Sequence, residues 1–213
     1  SCIPKNQGPR KVLKTLGSYC SISKEQKEAL KCFVSQIKIK QEKINLIGKS
    51  TIHRIWTRHI LDSIQIIEHL PKEKSEKFVL DVGTGAGFPG VVLHIMGRKN
   101  VILCDKSSKK VFFLKKIFKE CCLDIEVYNN RVEMYLKKNV DVIVSRAFAS
   151  LKKLINSIFH LISYETVLVI HKGKKYKEEI KEAEKTYFFK YEKFQSITSK
   201  EGVILKIENI KKK

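Results

Sequence analysis

A regular alternation of short apolar segments with amphipathic segments, which starts at residue 78, constrains the fold most. The apolar segments predict strands and the amphipathic segments predict helices, so we expect a largely parallel sheet covered on both faces. A short Ser-Lys-Glu-Gly segment (199–202) joins the last two strands, which leaves no room for a crossover helix and predicts an antiparallel pair. The predicted strands are 78–82, 100–104, 124–129, 140–145, 166–171, 188–196 and 202–209, and the predicted helices lie near 89–97, 107–121, 150–162 and 175–186.

The first third of the chain has a different pattern. Residues 1–22 carry no strong apolar period and no acidic residue, so they are predicted to form a basic, loose arm. Ser23 begins a capping-box sequence, and apolar residues then recur at helical spacing through two helices, the second of which ends before Pro71. We therefore expect a helical extension over residues 23–72 that packs on a main domain spanning residues 73–213.

Composition excludes several classes of protein. The chain has 213 residues, of which 43% are hydrophobic, so it can bury a core, but no apolar run approaches the roughly 18 residues that cross a membrane. We therefore expect no membrane association. The cysteines form no CxxC pair, which disfavours a zinc site or a disulfide framework and predicts reduced thiols, no bound metal and a cytoplasmic protein. The cysteines are Cys2, Cys20, Cys32, Cys104, Cys121 and Cys122.

The formal net charge is +21, from 43 basic and 22 acidic residues. Such a balance favours a polyanionic partner such as nucleic acid. Six of the basic residues are arginine, so 43 − 6 = 37 are lysine, and lysine, isoleucine and asparagine are all abundant. An AT-rich genome produces the same bias without any function. Both explanations of the charge therefore stay open.

The strand at 78–82 runs into a glycine-rich turn, residues 81–90, with the sequence DVGTGAGFPG. Backbone amides in such a turn can bind a ligand, and three ligand classes compete. A phosphate loop needs GxxxxGK[ST], which is absent here. Residues 85–90 match the dinucleotide fingerprint GxGxxG, and Asp105 lies 20 residues after Gly85, where a ribose-binding acid is expected. An NAD(P)-binding oxidoreductase therefore stays an alternative.

Asp81, at the end of the first strand, favours the third ligand class. A carboxylate beneath the ligand repels a pyrophosphate but suits S-adenosylmethionine, which carries a positive amino group and a sulfonium. In this interpretation Asp81 holds the amino group, directly or through water, and Asp105 accepts hydrogen bonds from the ribose hydroxyls. The backbone of Gly83, Gly85 and Gly87 then faces the methionine and the ribose. The alternative role for Asp105 is to cap the helix that follows it.

Five motifs stand in order along the chain: RHILDSI at residues 58–64, then DVGTGAGFPG, DKSSKKVFFL, NNRVE and SRAFASL. Together they resemble the glucose-inhibited division protein B family, from about residue 40 to the C-terminus. RHILDSI and SRAFASL are the specific parts of this resemblance. It implies an α/β, Rossmann-like class I methyltransferase fold, in which a seven-stranded, mostly parallel sheet ends in an antiparallel hairpin and a small helical extension precedes it.

The resemblance also implies a function. Members of the family are bacterial, S-adenosylmethionine-dependent methyltransferases that modify guanine N7 in small-subunit (16S) ribosomal RNA. Because N7 has an in-plane lone pair and no proton, we expect no general base, and catalysis should depend on positioning. The expected partner is that RNA or the ribosomal subunit, and the protein is expected to be a monomer. A non-catalytic RNA-binding module on the same fold stays a further alternative.

The cofactor contacts of the family match five positions of this chain. They are Gly83 and Phe88 on the glycine turn, Val132 and Glu133 after the third strand, and Arg146 after the fourth. Arg146 is the candidate for positioning substrate or cofactor, because a cation at a helix start is unfavourable unless it meets a ligand. The candidate RNA contacts are Arg131, Lys172, Lys174 and Lys175.

Two polar residues of RHILDSI are assigned to structure rather than to catalysis. His59 shares a helix face with Trp56 and Ile60, which predicts a hydrogen-bonded histidine in the core. Asp62 is predicted to tie the N-terminal helices to the sheet. Before the last strand, Lys200 stands where the family usually carries an arginine, and lysine lacks the guanidinium fork, so no RNA contact is assigned there.

Overall fold

The computed structural model describes residues 8–146 and 148–213, which fold around one seven-stranded sheet. The strands are β1 (Phe78–Val82), β2 (Val101–Cys104), β3 (Glu126–Tyr128), β4 (Val140–Ser145), β5 (Val167–Lys172), β6 (Tyr187–Gln195) and β7 (Val203–Lys212). Their spatial order is β3-β2-β1-β4-β5-β7-β6. Strands β1 to β5 run parallel, whereas β7 is antiparallel to β5 and β6 is antiparallel to β7.

Helices and helical turns connect the strands. The α-helices are α1 (Pro9–Tyr19), α2 (Lys24–Gln41), α3 (Asp62–Ile64), α4 (Gly90–Ile95), α5 (Ser108–Glu120), α6 (Leu151–Ile158) and α7 (Tyr176–Glu184). Short 3₁₀ turns span Ile52–Arg54, Ile67–His69, Val132–Met134 and Phe159–Leu161, and a π-helix spans Trp56–Leu61.

The side chains of β1 alternate between two apolar layers, one on each face of the sheet. Val79 belongs to a layer that also contains the buried residues of α2, α4 and the π-helix, whereas Leu80 and Val82 belong to the layer under α6. By the period of two, Asp81 lies on the side of Val79. Because the buried residues of the N-terminal helices belong to the first layer, they share one core with the sheet.

The predicted α/β sheet with an antiparallel closing pair is confirmed. Strands β1 and β4 have the predicted bounds, and the bounds of the other strands differ by at most three residues. The capping box at Ser23 is also present: its hydroxyl accepts from the Gln26 amide at 3.1 Å, and the Gln26 side chain accepts from the Ser23 amide at 2.9 Å.

The prediction of a loose arm over residues 1–22 is wrong for residues 9–19, which form α1. Val12 and Leu16 are 0% and 1% exposed and belong to the apolar layer of the N-terminal helices. Two buried residues one turn apart are enough to dock a short helix, yet they are too few to stand out among the surrounding lysines. The first seven residues lie outside the described part of the chain.

The second predicted N-terminal helix is also different in the structure. Instead of one α-helix, the segment contains a 3₁₀ turn, the π-helix Trp56–Leu61, the single turn α3 and another 3₁₀ turn. Inside it the Ser63 hydroxyl donates to the His59 carbonyl at 2.6 Å. Because the segment is buried on several sides, contacts with other elements override the local α-helical preference.

The expectation of uniformly reduced thiols is wrong for one pair. Cys32 on α2 and Cys121 at the end of α5 form a disulfide, with a Cα–Cα distance of 5.8 Å. The two residues are 89 positions apart in sequence, so no short motif indicates the pairing. Cys20, Cys104 and Cys122 are free thiols, and Cys2 is not among the described residues.

The described residues contain no helix that is long and apolar enough to cross a membrane. Within residues 8–146 and 148–213 there is also no group of three or more histidine, cysteine, aspartate or glutamate side chains placed to hold a metal ion.

The buried position of Leu16 makes the helical state of α1 testable. We expect Leu16→Ala to lower the free energy of unfolding by about 2–5 kcal/mol, because it leaves a cavity in the core. Leu136→Ala is the matched control, since Leu136 is 75% exposed and its truncation should change stability little. Denaturant unfolding measures both, and equal stabilities of the two variants would show that α1 does not dock.

Candidate cofactor and substrate site

The glycine turn lies at the carboxyl end of β1 and is fixed by backbone hydrogen bonds to β2. The amides of Gly83 and Thr84 both donate to the carbonyl of Cys104, at 2.9 and 3.1 Å. Gly83, Gly85 and Gly87 have positive φ angles of 71°, 57° and 98°. Side chains with a Cβ rarely adopt this conformation, so the turn requires glycine at these positions.

Asp81 holds the two ends of this turn together rather than lining an open cavity. It is fully buried, and its Oδ2 accepts from the Thr84 hydroxyl at 2.7 Å and from the Gly90 amide at 2.8 Å. Burial raises the pKa of this carboxyl to about 7. Its other oxygen, Oδ1, is buried and has no hydrogen-bond partner among the described residues. Asp81 therefore retains one acceptor for a cation or a water molecule.

A cavity of about 420 Å³ opens in front of the turn, at the carboxyl ends of β1, β2 and β3. We call it the cofactor cavity. It contains five of the predicted cofactor-binding residues: Gly83, Gly85, Asp105, Val132 and Glu133. The rest of its lining is Val82, Cys104, Lys106, Ser107, Lys110, Asn130, Arg131 and Phe148.

Asp105 is fixed in the wall of the cofactor cavity by two backbone amides. Its Oδ2 accepts from Gly85 and its Oδ1 from Ser107, both at 2.8 Å. The N-cap of α5 is Ser107, whose hydroxyl accepts from the Lys110 amide, so Asp105 is not the capping residue. Each carboxylate oxygen keeps a free lone pair, and the pair of oxygens can accept from two neighbouring hydroxyls.

Gly87 and Phe88 lie behind the turn instead of in the cavity wall. A Cβ at Gly87 would lie 3.2 Å from the Phe33 ring and would clash with Val91. Phe88 is 3% exposed, and its ring packs edge-on against Phe33 with centroids 5.4 Å apart. The structure thus gives these two predicted cofactor residues a packing position between the turn and α2.

Arg146 lies outside the cofactor cavity, in a hydrogen-bonded network with RHILDSI. Its guanidinium donates to the Arg58 carbonyl at 3.1 Å, to Asp62 Oδ2 at 3.2 Å and to His59 Nδ1 at 2.7 Å. It also lies 5.2 Å from the centroid of the Phe88 ring. These contacts make Arg146 a link between the end of β4 and the π-helix.

The hydrogen bonds of His59 define its tautomer. Nδ1 accepts from Arg146, so the ring proton is on Nε2, which donates to the Thr51 hydroxyl at 2.8 Å. The Thr51 hydroxyl in turn donates to the Gly48 carbonyl at 2.9 Å. Burial and the charge of Arg146 lower the pKa of His59 to about 3, so the ring stays neutral. This is the satisfied core histidine that the sequence predicts.

Asp62 connects this network to the other end of the sheet. Its Oδ1 accepts from the Thr198 hydroxyl, between β6 and β7, at 2.5 Å, and its backbone carbonyl accepts from His171 Nε2, in β5, at 2.7 Å. Burial acts to raise the pKa of Asp62, but His171, Arg146 and the Thr198 hydrogen bond outweigh it and hold the pKa below its usual range. Asp62 thus has the tying role predicted for it.

A second cavity, of about 320 Å³, lies over β4, β5 and β7. Arg146 and Lys172 both line it. Lys172 is not a free cation, because its ammonium donates to the Ala149 carbonyl at 2.6 Å and pairs with Glu179 at 2.9 Å. The remaining candidate RNA contacts, Arg131, Lys174 and Lys175, are exposed.

Phe148 is one of the wall residues that the sequence-based predictions omit. It lies in SRAFASL, two residues after Arg146, and is 38% exposed at the edge of the cofactor cavity. The available signal was an aromatic residue shortly after the carboxyl end of a central strand. That signal is weak, because it does not say on which side of the strand the ring lies.

The strand order and the position of the cavity define the class of protein. A parallel sheet whose order reverses between β1 and β4, with a cavity beside that switch point and an antiparallel closing pair, is the class I methyltransferase fold. Solved structures with this fold align well. The ribosomal protein L11 methylase of Lactobacillus delbrueckii subsp. bulgaricus aligns with TM-score 0.56 and 18% identity, over 76% of this chain and 80% of that one.

A variant of MtNAS in complex with S-adenosylmethionine aligns with TM-score 0.60 and 12% identity, over 86% of this chain and 76% of that chain. At these identities the likeness shows the fold alone.

Sequence similarity identifies the family. Residues 26–208 match the GidB family, described as rRNA small subunit methyltransferase G. The ribosomal RNA small subunit methyltransferase G of Rickettsia akari is 38% identical over 191 residues, which cover 90% of this chain and 98% of the relative. That of Rickettsia prowazekii is 38% identical over 185 residues, or 87% and 95% of the two chains. The chain therefore belongs to the GidB family of methyltransferases, and the oxidoreductase and non-catalytic alternatives are not favoured.

The residues of the cofactor cavity fit S-adenosylmethionine. Asp105 offers two oxygens to the ribose hydroxyls, the apolar Val132 borders the side where the adenine is expected, and Gly83 and Gly85 present backbone to the methionine part. The unpartnered Oδ1 of Asp81 lies behind the same turn. The five predicted positions in the cavity wall are thus consistent with this cofactor.

The network around Asp62 makes a prediction about stability. Asp62→Ala removes the carboxylate partner of Arg146 and should lower the free energy of unfolding by about 3–5 kcal/mol. Glu165→Ala, which breaks an exposed pair with Lys74, is the control and should cost at most about 1 kcal/mol. Because the folded pKa of Asp62 is depressed, the contribution of its carboxylate to stability is present above about pH 4 and is lost as the pH falls. The free energies of unfolding of wild type and Asp62→Ala should therefore converge in acid.

Equilibrium unfolding of both variants at neutral and acidic pH measures this. A loss from Asp62→Ala no larger than that from Glu165→Ala would contradict a structural role for the network.

The raised pKa of Asp81 predicts a dependence of stability on pH that is opposite to that of Asp62. The folded pKa of about 7 lies above the unfolded value of about 3.9, so the folded chain binds the extra proton between them. The stability due to this group is full below about pH 4 and is lost as the pH rises through about 7. Asp81→Asn keeps an oxygen acceptor for Thr84 and Gly90 but cannot titrate, so we expect its stability to fall less over this range.

Denaturant unfolding at a series of pH values compares the two proteins, with Asp124→Asn, at an exposed position, as the control. Parallel curves for wild type and Asp81→Asn would show that Asp81 has an ordinary pKa.

Proposed function

We propose that this protein transfers the methyl group of S-adenosylmethionine to N7 of a guanine in small-subunit ribosomal RNA. The observation that carries the proposal is the coincidence of the family match, over residues 26–208, with a cavity that presents the Asp105 carboxylate beside the glycine turn. The relatives are named for small-subunit ribosomal RNA methylation. The protein acts as a monomer in the cytoplasm, where this RNA is found.

The chemistry assigned to the protein's own residues is binding and positioning. S-adenosylmethionine supplies a methyl carbon that is activated by a positively charged sulfur. Guanine N7 presents a lone pair without a proton, so no side chain has to remove one. Cys104, the thiol in the cavity wall, is not a base, because burial and the neighbouring carboxylates of Asp105 and Asp81 raise its pKa to about 12. The work of the site is to orient the two reactants and exclude water.

The charges around the cavity support an RNA substrate. Lys106, Lys110 and Arg131 border the cofactor cavity, and the exposed Lys174 and Lys175 follow directly after Gly173, which lines the second cavity. Phosphates of a folded RNA can contact both groups while a guanine enters between them. Because such contacts release counterions, the affinity for RNA should fall steeply with salt.

Transfer of labelled methyl to unmethylated small-subunit RNA, followed by mapping of the modified base, tests the proposal. We expect one labelled guanine, modified at N7. At saturating cofactor the single-turnover rate should vary little between about pH 6 and 8, since no proton transfer is required. Label on another atom, or a steep pH dependence in this range, would contradict the assigned reaction.

The role of Asp105 can be tested without RNA. Asp105→Asn replaces one carboxylate oxygen by an amide and should weaken the binding of S-adenosylmethionine about tenfold, which is about 1.4 kcal/mol. Asp124→Asn is the control at an exposed position outside the cavity. Isothermal titration calorimetry measures both affinities. An unchanged affinity for Asp105→Asn would remove this residue from the binding site.

A further inference from the structure

Phe148 packs directly on the backbone of the glycine turn. A Cβ built on Gly83 would lie 2.8 Å from Cδ2 of the Phe148 ring, closer than real contacts allow. The ring is 38% exposed and faces the cofactor cavity. Leaving a large apolar ring partly in water costs free energy that a bound ligand would recover.

The strand order shows which end of the cavity this ring occupies. The wall residues Val132, Asp105, Gly83 and Phe148 follow β3, β2, β1 and β4, which are neighbours in that order across the sheet. Val132 and Asp105 form the end assigned to the adenosine. Phe148 therefore lies at the opposite end, beyond the turn that faces the methionine, where the methyl group must leave.

The cations of the cavity wall are all at the adenosine end. Lys106 and Lys110 belong to the segment after β2, and Arg131 to the segment after β3. Arg146, the cation after β4, is turned toward His59 and Asp62 and does not line this cavity. Among the described residues that line this cavity, the methyl-donating end thus has an aromatic ring and no cation.

We propose that the face of Phe148 stacks on the target guanine and stabilises the positive charge that the base acquires on methylation. The inference rests on the proposed function. In the reaction the N7 lone pair forms the new bond to the methyl carbon, and the electron pair of the breaking carbon–sulfur bond stays on sulfur. No proton moves, and the positive charge passes to the guanine ring. Because an aromatic face attracts cations through its quadrupole, it binds methylated guanine more strongly than guanine.

Progressive fluorination of the ring tests this, since it weakens the attraction for a cation with little change in size. Mono-, di- and trifluorinated phenylalanine at position 148 should lower the single-turnover rate stepwise, on the order of tenfold over the series. The preference of the protein for RNA carrying 7-methylguanine over unmethylated RNA should fall in parallel, and this equilibrium measurement needs no turnover. Phe188, which is 59% exposed on the edge strand β6, is the matched control site.

A rate and a preference that do not change with fluorination, although Phe148→Leu impairs the protein, would overturn the inference, because the ring would then only fill space. A stepwise loss in both measurements would support it. If wild type methylates no guanine N7, the proposed function fails; the binding preference still decides whether Phe148 recognises the charged base.

Discussion

The carboxylate of Asp62 is the contact on which the arrangement of the site depends. It accepts from Arg146 after β4 and from Thr198 before β7, while its own backbone carbonyl accepts from His171 in β5. A largely buried carboxylate is costly unless its lone pairs are used, and here they are used by Gln65, three residues away, and by Arg146 and Thr198, 84 and 136 residues away. The π-helix positions this side chain, because it lets His59 and Asp62 reach the same guanidinium.

The conformation of the glycine turn depends on two carboxylates that accept hydrogen bonds from the turn and from the residues that flank it. Asp81 joins Thr84 to Gly90, and Asp105 joins Gly85 to Ser107, so the two residues fix the turn on both sides. A ligand then meets a turn backbone and a carboxylate whose geometry is already set, which lowers the entropy cost of binding. The carboxylates also differ in accessibility, since Asp81 is fully buried and Asp105 lines the cavity.

The sequence predicts those features that depend on neighbours along the chain. Strand β1 and the turn follow from apolar residues and glycines in one short stretch, and Asp105 follows from the end of the next strand. The features that the sequence does not predict depend on contacts between residues that are far apart along the chain. The three contacts of Arg146 come from RHILDSI, 84 to 88 residues earlier, and Cys32 meets Cys121 across 89 positions. Arg146 therefore looks like a ligand contact in sequence, whereas in the structure three of its five N–H donors bind Arg58, His59 and Asp62.

Gly83 shows how the fold and the chemistry restrict the same residue. Its φ of 71° alone favours glycine, and the Phe148 ring occupies the space where a Cβ would be. The Gly83 backbone also lines the cofactor cavity, while its amide is held by the Cys104 carbonyl. The backbone, the packing and the ligand impose these requirements independently. Removing one of them would therefore still not allow a residue other than glycine at position 83. In the proposed reaction, a ring that lies directly against the turn, with no side chain between them, places the target base close to the cofactor.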